Sequence, residues 1–219
     1  MDKAKNKIST KTEILILIAV FGVVASGIIT YMVGFVYDTM QTKFDIAMQN
    51  FFFSLRNPVL NPIVIALTHT TDTITIIMMC VILLILPNRR KYGVPVSLAA
   101  LGGVAVYKPM KHIFLRSRPD VSLHLVQQGG YSFPSGHSVT SIVVYGLLIY
   151  LINRYCPNGK LKKILITICA LLFIFVGPSR IYVGVHWPTD VLAGWCIGFS
   201  VLAVAIIILE RKGIKNEDI

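Results

Sequence analysis

Long apolar runs alternate with short polar segments along most of the chain. Residues 14–36 form 23 consecutive positions without a charge, enough to cross a hydrocarbon layer of about 30 Å. Further runs at 58–86, 92–110, 138–153, 164–178 and 189–209 predict five more spans. The expectation is an all-α, polytopic membrane protein with six transmembrane helices, folded as one domain over 1–219. The basic start ahead of the first run resembles a secretory leader. That run exceeds the apolar core of a leader, roughly 7–15 residues, and no cleavage pattern follows, so it reads as a retained span. The second run is interrupted by Thr68-His69-Thr70-Thr71-Asp72, which predicts a tilted or broken span. Gly102-Gly103, and Gly194 with Gly198, predict close helix contacts.

Two polar features sit against this background. In 37–57, Phe44, Ala47, Met48, Phe51, Phe52 and Leu55 recur at helical spacing among Lys43, Asp45, Gln49 and Arg56. That predicts a short amphipathic helix at the interface, either shaping a lipid entrance or simply covering the bundle end. His69 and Asp72 are three apart on one predicted helical face. Ionisable side chains at membrane depth face a bundle interior or a watery cavity, so this pair either lines a substrate cavity or is purely structural.

Only 14% of the side chains are charged, and the formal net charge is +11. The cations cluster in short segments between apolar runs, which is the pattern of membrane topology and not of nucleic-acid binding. The N-terminal segment, 88–91, 154–163 and the C-terminal tail carry 14 of the 21 Lys and Arg, and the opposite side carries 7. By the positive-inside rule both termini face the cytoplasm of a cell-membrane protein. Cys80, Cys156, Cys169 and Cys196 show neither metal-site nor disulfide spacing, and read as small buried hydrophobes. Nothing calls for an obligatory protein partner.

Three clusters carry chemistry, and this topology puts all of them on the outer side. Lys111 and Arg118 lie seven apart, nearly on one helical face, and Pro119 predicts a boundary. They suit an anionic headgroup, Arg118 by a forked contact, although Lys and Arg near span ends also snorkel. Lys108 and Arg116 have similar positions, so spacing does not choose among these cations. Pro134-Ser135-Gly136-His137 precedes a span: Ser135 is a natural N-cap, and free amides at a helix start can cradle phosphate. Ser179-Arg180 closes the fifth span, and Pro188 suits the first turn of the sixth. Asp190, four residues beyond His186, can hold one imidazole nitrogen and leave the other as a nucleophile. Surrounding Lys and Arg would repel a metal ion.

The joint pattern Lys111-x6-Arg118-Pro119, Pro134-Ser135-Gly136-His137 and Ser179-Arg180-x5-His186-x3-Asp190 resembles the three-part signature of the type 2 phosphatidic acid phosphatase (PAP2) superfamily. The six-span layout is similar to its bacterial membrane branch. The resemblance implies a PAP2/chloroperoxidase-like helical core and a metal-independent phosphatase with a phosphohistidine intermediate and no cofactor. It makes His186 the nucleophile, Asp190 its orienting carboxylate and His137 the proton donor and then base. It makes Lys111, Arg118 and Arg180 the phosphate-binding cations, aided by Ser135 and the Gly136 amide. Vanadium haloperoxidases share the signature, but the apolar spans argue against that activity. The implied substrates are lipid phosphates, undecaprenyl pyrophosphate first, then phosphatidylglycerol phosphate or phosphatidic acid. A lipid phosphotransferase has the same signature. A non-catalytic lipid-binding or transport protein is the alternative of another class.

Overall fold

A computed structural model describes residues 10–36, 40–157 and 159–211. The basic start and the charged tail that entered the topology argument lie largely outside the described residues. Eight α-helices follow one another, with no strand among the described residues: α1 (Thr10–Tyr31, prolonged by a π-helical turn, Met32–Val36), α2 (Lys43–Ser54), α3 (Leu60–His69), α4 (Thr73–Ile85), α5 (Gly93–Phe114), α6 (Gly136–Tyr155), α7 (Gly159–Tyr182) and α8 (Pro188–Arg211). A 3-10 turn, Val121–Leu123, lies in the α5–α6 loop.

α6 is apolar on every side, and a helix of that kind belongs in the interior. It is the centre of the bundle, with α5, α7 and α8 packed around it and α1 laid against α8. Val139, Val143, Leu147 and Leu151 of α6 meet Val96 and Ala99 of α5 and Ile197 and Ile206 of α8 in the main core. α1 with its extension is the reverse case: it is strongly apolar, yet only Gly22 and Val33 are buried, and Leu17, Phe21 and Phe35 are exposed at 67%, 73% and 75%. Such a surface is stable only where lipid chains replace water.

Four helices are long and apolar enough to cross a membrane: α1 with its extension, α6, α7 and α8. The count is five if α3 and α4 form one span bent by 54°. Six were expected, so the length-and-apolarity test falls short of that number. The missing one is α5, expected as the third span over 92–110. It has 22 residues, but Tyr107, Lys108, Pro109, Lys111 and His112 dilute its C-terminal half.

α3 and α4 meet at a 54° bend across residues 70–72, where the polar interruption predicts a break. The freed backbone at the break is satisfied locally and from α6: Tyr145 Oη donates to the Thr70 carbonyl at 2.8 Å, and Thr75 Oγ1 to that of His69 at 2.9 Å. Partners of this kind are what allow a helix to break at membrane depth.

α2 is amphipathic but faces opposite to a soluble helix. Asp45 and Gln49 are buried, while Phe44, Phe51 and Leu55 are exposed. Thr42 and Asp45 form a reciprocal capping box at its start. Arg56, just past its end, donates from Nε and Nη2 to the Tyr182 carbonyl at 2.9 and 2.6 Å. The apolar stripe therefore faces outward and the polar stripe faces protein.

The glycine seam is present on α8. A Cβ at Gly194 would lie 2.7 Å from the Ser135 carbonyl oxygen, and one at Gly198 2.7 Å from Ile142 Cβ. Helices α8 and α6 meet backbone to backbone there, which fixes the distance between two of the three clusters. Overpacking such a contact costs about 1–3 kcal/mol. Gly198→Ala is expected to lower the thermal midpoint in detergent. Gly27→Ala, whose added methyl meets nothing within 4 Å, is expected to leave it unchanged or slightly raised. Equal midpoints for the two variants would contradict the seam.

Candidate active site

Local backbone chemistry brings the clusters to one end of the bundle. α5 stops at Phe114 because Leu115 takes a left-handed conformation, φ 50°, an uncommon and strained choice for a Leu. Arg118 is therefore in the following loop and not on the helical face of Lys111, which corrects the spacing argument. The two cations converge all the same: Lys111 Nζ and Arg118 Nη2 donate to the same Tyr131 carbonyl, at 2.7 and 3.0 Å. Gly184, φ +84°, turns the chain out of α7. Pro188 then starts α8 as its first residue, and His186 sits in the short segment between.

His186 is held from both sides of its ring. Nδ1 is 3.2 Å from Asp190 Oδ2, and Nε2 is 3.2 Å from Arg118 Nη1. A carboxylate only accepts and a guanidinium only donates. The two contacts therefore assign the proton to Nδ1 and leave a lone pair on Nε2. Burial, helped by Arg118, Lys111 and Arg180, holds the imidazole well below its usual value, so the ring is neutral at physiological pH. Asp190 is placed by more than this contact: Oδ2 also accepts the Trp187 amide at 2.9 Å. Its carbonyl accepts the Ser135 amide at 3.0 Å, joining the second cluster to the third.

Four cations lie close together, and their partners divide them. Arg116 is fully buried between two buried carboxylates, reaching Asp190 Oδ1 at 2.6 Å and Asp45 Oδ2 at 2.8 Å. Its charge is spent inside the protein. Lys111, Arg118 and Arg180 have only neutral partners among the described residues' ion pairs and hydrogen bonds. Lys111 binds the Tyr131 and Ser132 carbonyls. Arg118 binds those of Gly129, Gly130, Tyr131 and Val185. Arg180 donates to Thr68 Oγ1 at 2.7 Å and to Gln128 Oε1, and its buried Nε has no partner among the described residues. Burial lowers Arg118 to about 10, which still leaves it charged. No carboxylate pairs with any of the three among the described residues, and all three lie close enough to act electrostatically on His186. Lys108 is exposed and apart from this group.

Ser135 caps α6 as predicted, with Oγ accepting from Ser138 Oγ at 2.9 Å and from the Ser138 amide at 3.4 Å. Gly136 has a packing reason to lack a side chain, because a Cβ there would lie 2.8 Å from the Tyr107 ring. His137, on the first turn, pairs through Nε2 with Asp72 Oδ1 at 2.9 Å, and Asp72 Oδ2 reaches His69 Nδ1 at 2.6 Å. Sequence spacing suggested the His69–Asp72 pair, but nothing in it pointed to His137. Asp45 and Gln128 also gave no sequence signal beyond being polar residues at helix or loop margins. A shallow cleft of about 470 Å³ between Val121 and Gly129 has Gln128 in its wall, so one side chain borders both the cleft and Arg180.

A family model described as the PAP2 superfamily matches residues 92–214, which include all three clusters. Phosphatidylglycerophosphatase B of Bacillus subtilis is 32% identical over 148 residues, covering 66% of this chain and 72% of that protein. An undecaprenyl-diphosphatase of Sulfolobus acidocaldarius is 32% identical over 140 residues, 62% of this chain and 64% of that one. The crystal structure of a transmembrane PAP2 type phosphatidylglycerolphosphate phosphatase from Bacillus subtilis superposes with a TM-score of 0.73 at 26% identity, over 95% of this chain and all of that one. A neutral imidazole backed by a carboxylate and ringed by cations thus lies inside the matched segment, and the chain belongs to the PAP2 superfamily as a membrane-embedded lipid phosphatase.

Proposed function

We propose that the chain removes phosphate from a lipid phosphate or pyrophosphate at the outer face of the cytoplasmic membrane, through a phosphohistidine on His186. The observation that carries this is the lone pair on His186 Nε2, directed at Arg118 beside two further cations that no carboxylate neutralises. A phosphoryl group entering there meets its nucleophile and its counter-charges together, the two requirements of phosphoryl transfer.

In this mechanism His186 Nε2 attacks phosphorus and the bond to the leaving oxygen breaks. That oxygen takes a proton from His137. Asp190 holds Nδ1–H and stabilises the positive ring of the intermediate. His137 then takes a proton from water, whose oxygen displaces His186 and releases phosphate. Lys111, Arg118 and Arg180 supply the charge stabilisation that a metal ion supplies elsewhere, so the reaction proceeds without one. The Gly136 and His137 amides at the start of α6 offer further donors, with Ser135 shaping that turn.

The preferred substrate is undecaprenyl pyrophosphate, supported by the outward site that the cation distribution implies and by the Sulfolobus relative's name. The Bacillus relatives' names favour phosphatidylglycerol phosphate as the second reading. In this topology α5 is the third of six spans, the chain is a single domain and both termini are cytoplasmic.

Purified protein with excess chelator is expected to release phosphate from undecaprenyl pyrophosphate faster than from phosphatidylglycerol phosphate or phosphatidic acid. Equal rates would replace that preference with broad specificity, and inactivity on all three would overturn the reading. His186→Ala is expected to lower kcat by at least about a thousandfold, as loss of a nucleophile does, while remaining monodisperse. Undiminished turnover would remove His186 from the role.

The neutral state of His186 has a stability consequence. Its folded pKa is depressed, so below an ordinary value of about 6.5 the unfolded chain binds a proton that the folded one does not. This contribution is intact above about pH 6.5 and is lost progressively as pH falls. Wild type is expected to lose more thermal stability between pH 7.5 and pH 5 than His186→Gln. An identical fall in both would contradict a depressed value.

A further inference from the structure

The break between α3 and α4 has a use that the catalytic cluster leaves open. Asp72 is the N-cap of α4, a position where an Asp side chain ordinarily accepts a backbone amide of the first turn. Here it makes no such bond. Both carboxylate oxygens are turned instead to imidazoles, Oδ1 to His137 Nε2 at 2.9 Å and Oδ2 to His69 Nδ1 at 2.6 Å. The same short break also delivers Thr68 Oγ1 to Arg180 at 2.7 Å. It is anchored to α6 by Tyr145 Oη on the Thr70 carbonyl. An unwound segment that forgoes its own cap and is tied to two site residues is shaped by the site and not by helix stability.

We infer that Asp72 is a positioning residue for His137, held in place by His69, so that the site contains a second carboxylate–imidazole couple beside Asp190–His186. The inference rests on the phosphatase reading above. The carboxylate only accepts, so the contact fixes a proton of His137 on Nε2 and favours the imidazolium form against the burial and the Arg180 charge that oppose it. In that protonated form Nδ1 carries the transferable proton. When the phosphorus–oxygen bond breaks, its electron pair goes to the leaving oxygen and that oxygen takes the Nδ1 proton. His137 ends neutral, still held through Nε2, and able to accept a proton from water in the second step. His69 is half exposed, with its side chain at 51%, and it occupies the oxygen of Asp72 that does not face His137. It thereby sets the carboxylate's rotation without touching the reacting atoms.

The test uses the leaving group. Dodecyl phosphate releases an alkoxide that needs a proton. 4-Dodecyl-2-nitrophenyl phosphate releases a stable phenolate that does not, on the same lipid-like anchor. With purified full-length protein, Asp72→Asn is expected to lower kcat/KM on dodecyl phosphate about tenfold to a hundredfold. This lies within the 10²–10⁴ that a general acid supplies and matches the cost of removing a supporting partner elsewhere. The loss on the aryl phosphate is expected to stay below about threefold. Asp72→Glu is expected to recover part of the selective loss. His69→Gln, which leaves the Asp72–His137 contact in place, is expected to show a selective loss of a few-fold. Equal losses on both substrates in Asp72→Asn, with no selective loss in His69→Gln, would reduce Asp72 to a fold-supporting residue. No loss on either substrate would overturn the inference outright. His137→Ala run in parallel separates the two levels. A selective loss there without one in Asp72→Asn overturns only the positioning role. The absence of selectivity in His137→Ala removes the proton-donor role and the inference with it.

Discussion

The site depends on one buried guanidinium. Arg116, Asp45 and Asp190 have side chains with no exposed surface, and each alone would be prohibitively costly to keep ionised in such a place. Together they are tolerable because the two carboxylates share one cation, and Thr189 and Thr42 fill further acceptor positions on Asp45. The arrangement ties α2, the α5–α6 loop and the first turn of α8 into a single unit. It also presents Asp190 to His186 with one oxygen already committed to Arg116. Removing one member of such a set typically costs about 3–5 kcal/mol because the others are left uncompensated. The geometry of His186, the proposed nucleophile, is thus secured through Asp190 by a buried guanidinium.

The same interaction explains a choice among cations that spacing alone does not make. Lys108, Lys111, Arg116 and Arg118 lie within one short stretch of sequence. What separates them in space is the charge of their partners. Arg116 faces carboxylates and is neutralised. Lys111, Arg118 and Arg180 are held by carbonyl, hydroxyl and amide oxygens, which fix their positions without supplying a counter-charge. Dipolar partners of this kind preorganise a cation without satisfying its field. In the proposed reaction a dianionic phosphoryl group would meet cations already held in place, the condition under which electrostatic stabilisation costs least reorganisation.

Features set by local chemistry were legible in the chain. The Ser135 cap, Pro188 at the start of α8, the four-residue step from His186 to Asp190, the break between α3 and α4 and the Gly194–Gly198 seam all rest on short-range rules, and each appears in the structure. Features set by distant pairing were not. Asp72 meets His137 across 65 positions, and Asp45 meets Arg116 across 71; no periodicity encodes such encounters. The amphipathic pattern of α2 was legible, but which face turns inward was not. That depends on whether lipid or water lies outside. The expected shared helical face of Lys111 and Arg118 was lost to Leu115, a residue that gives no sequence warning of left-handed backbone. α5 shows the opposite limit, since polar residues in its C-terminal half, Lys111 of the proposed site among them, lower the apolarity by which a span is recognised.

These mismatches have one physical origin. A membrane enzyme acting on a headgroup must place polar chemistry at the ends of apolar helices, and each polar residue recruited there weakens the local rule that would otherwise identify its element. Asp72 does not cap α4, Tyr107 and Lys111 dilute α5, and Leu115 breaks a helix without a glycine. In each case a neighbouring element restores what is lost: Tyr145 supplies a donor to the break, Gly136 makes room for Tyr107, and the 129–132 backbone receives Lys111 and Arg118. Departures from local expectation therefore concentrate where the three clusters meet, and they outline the site as clearly as the signature residues do.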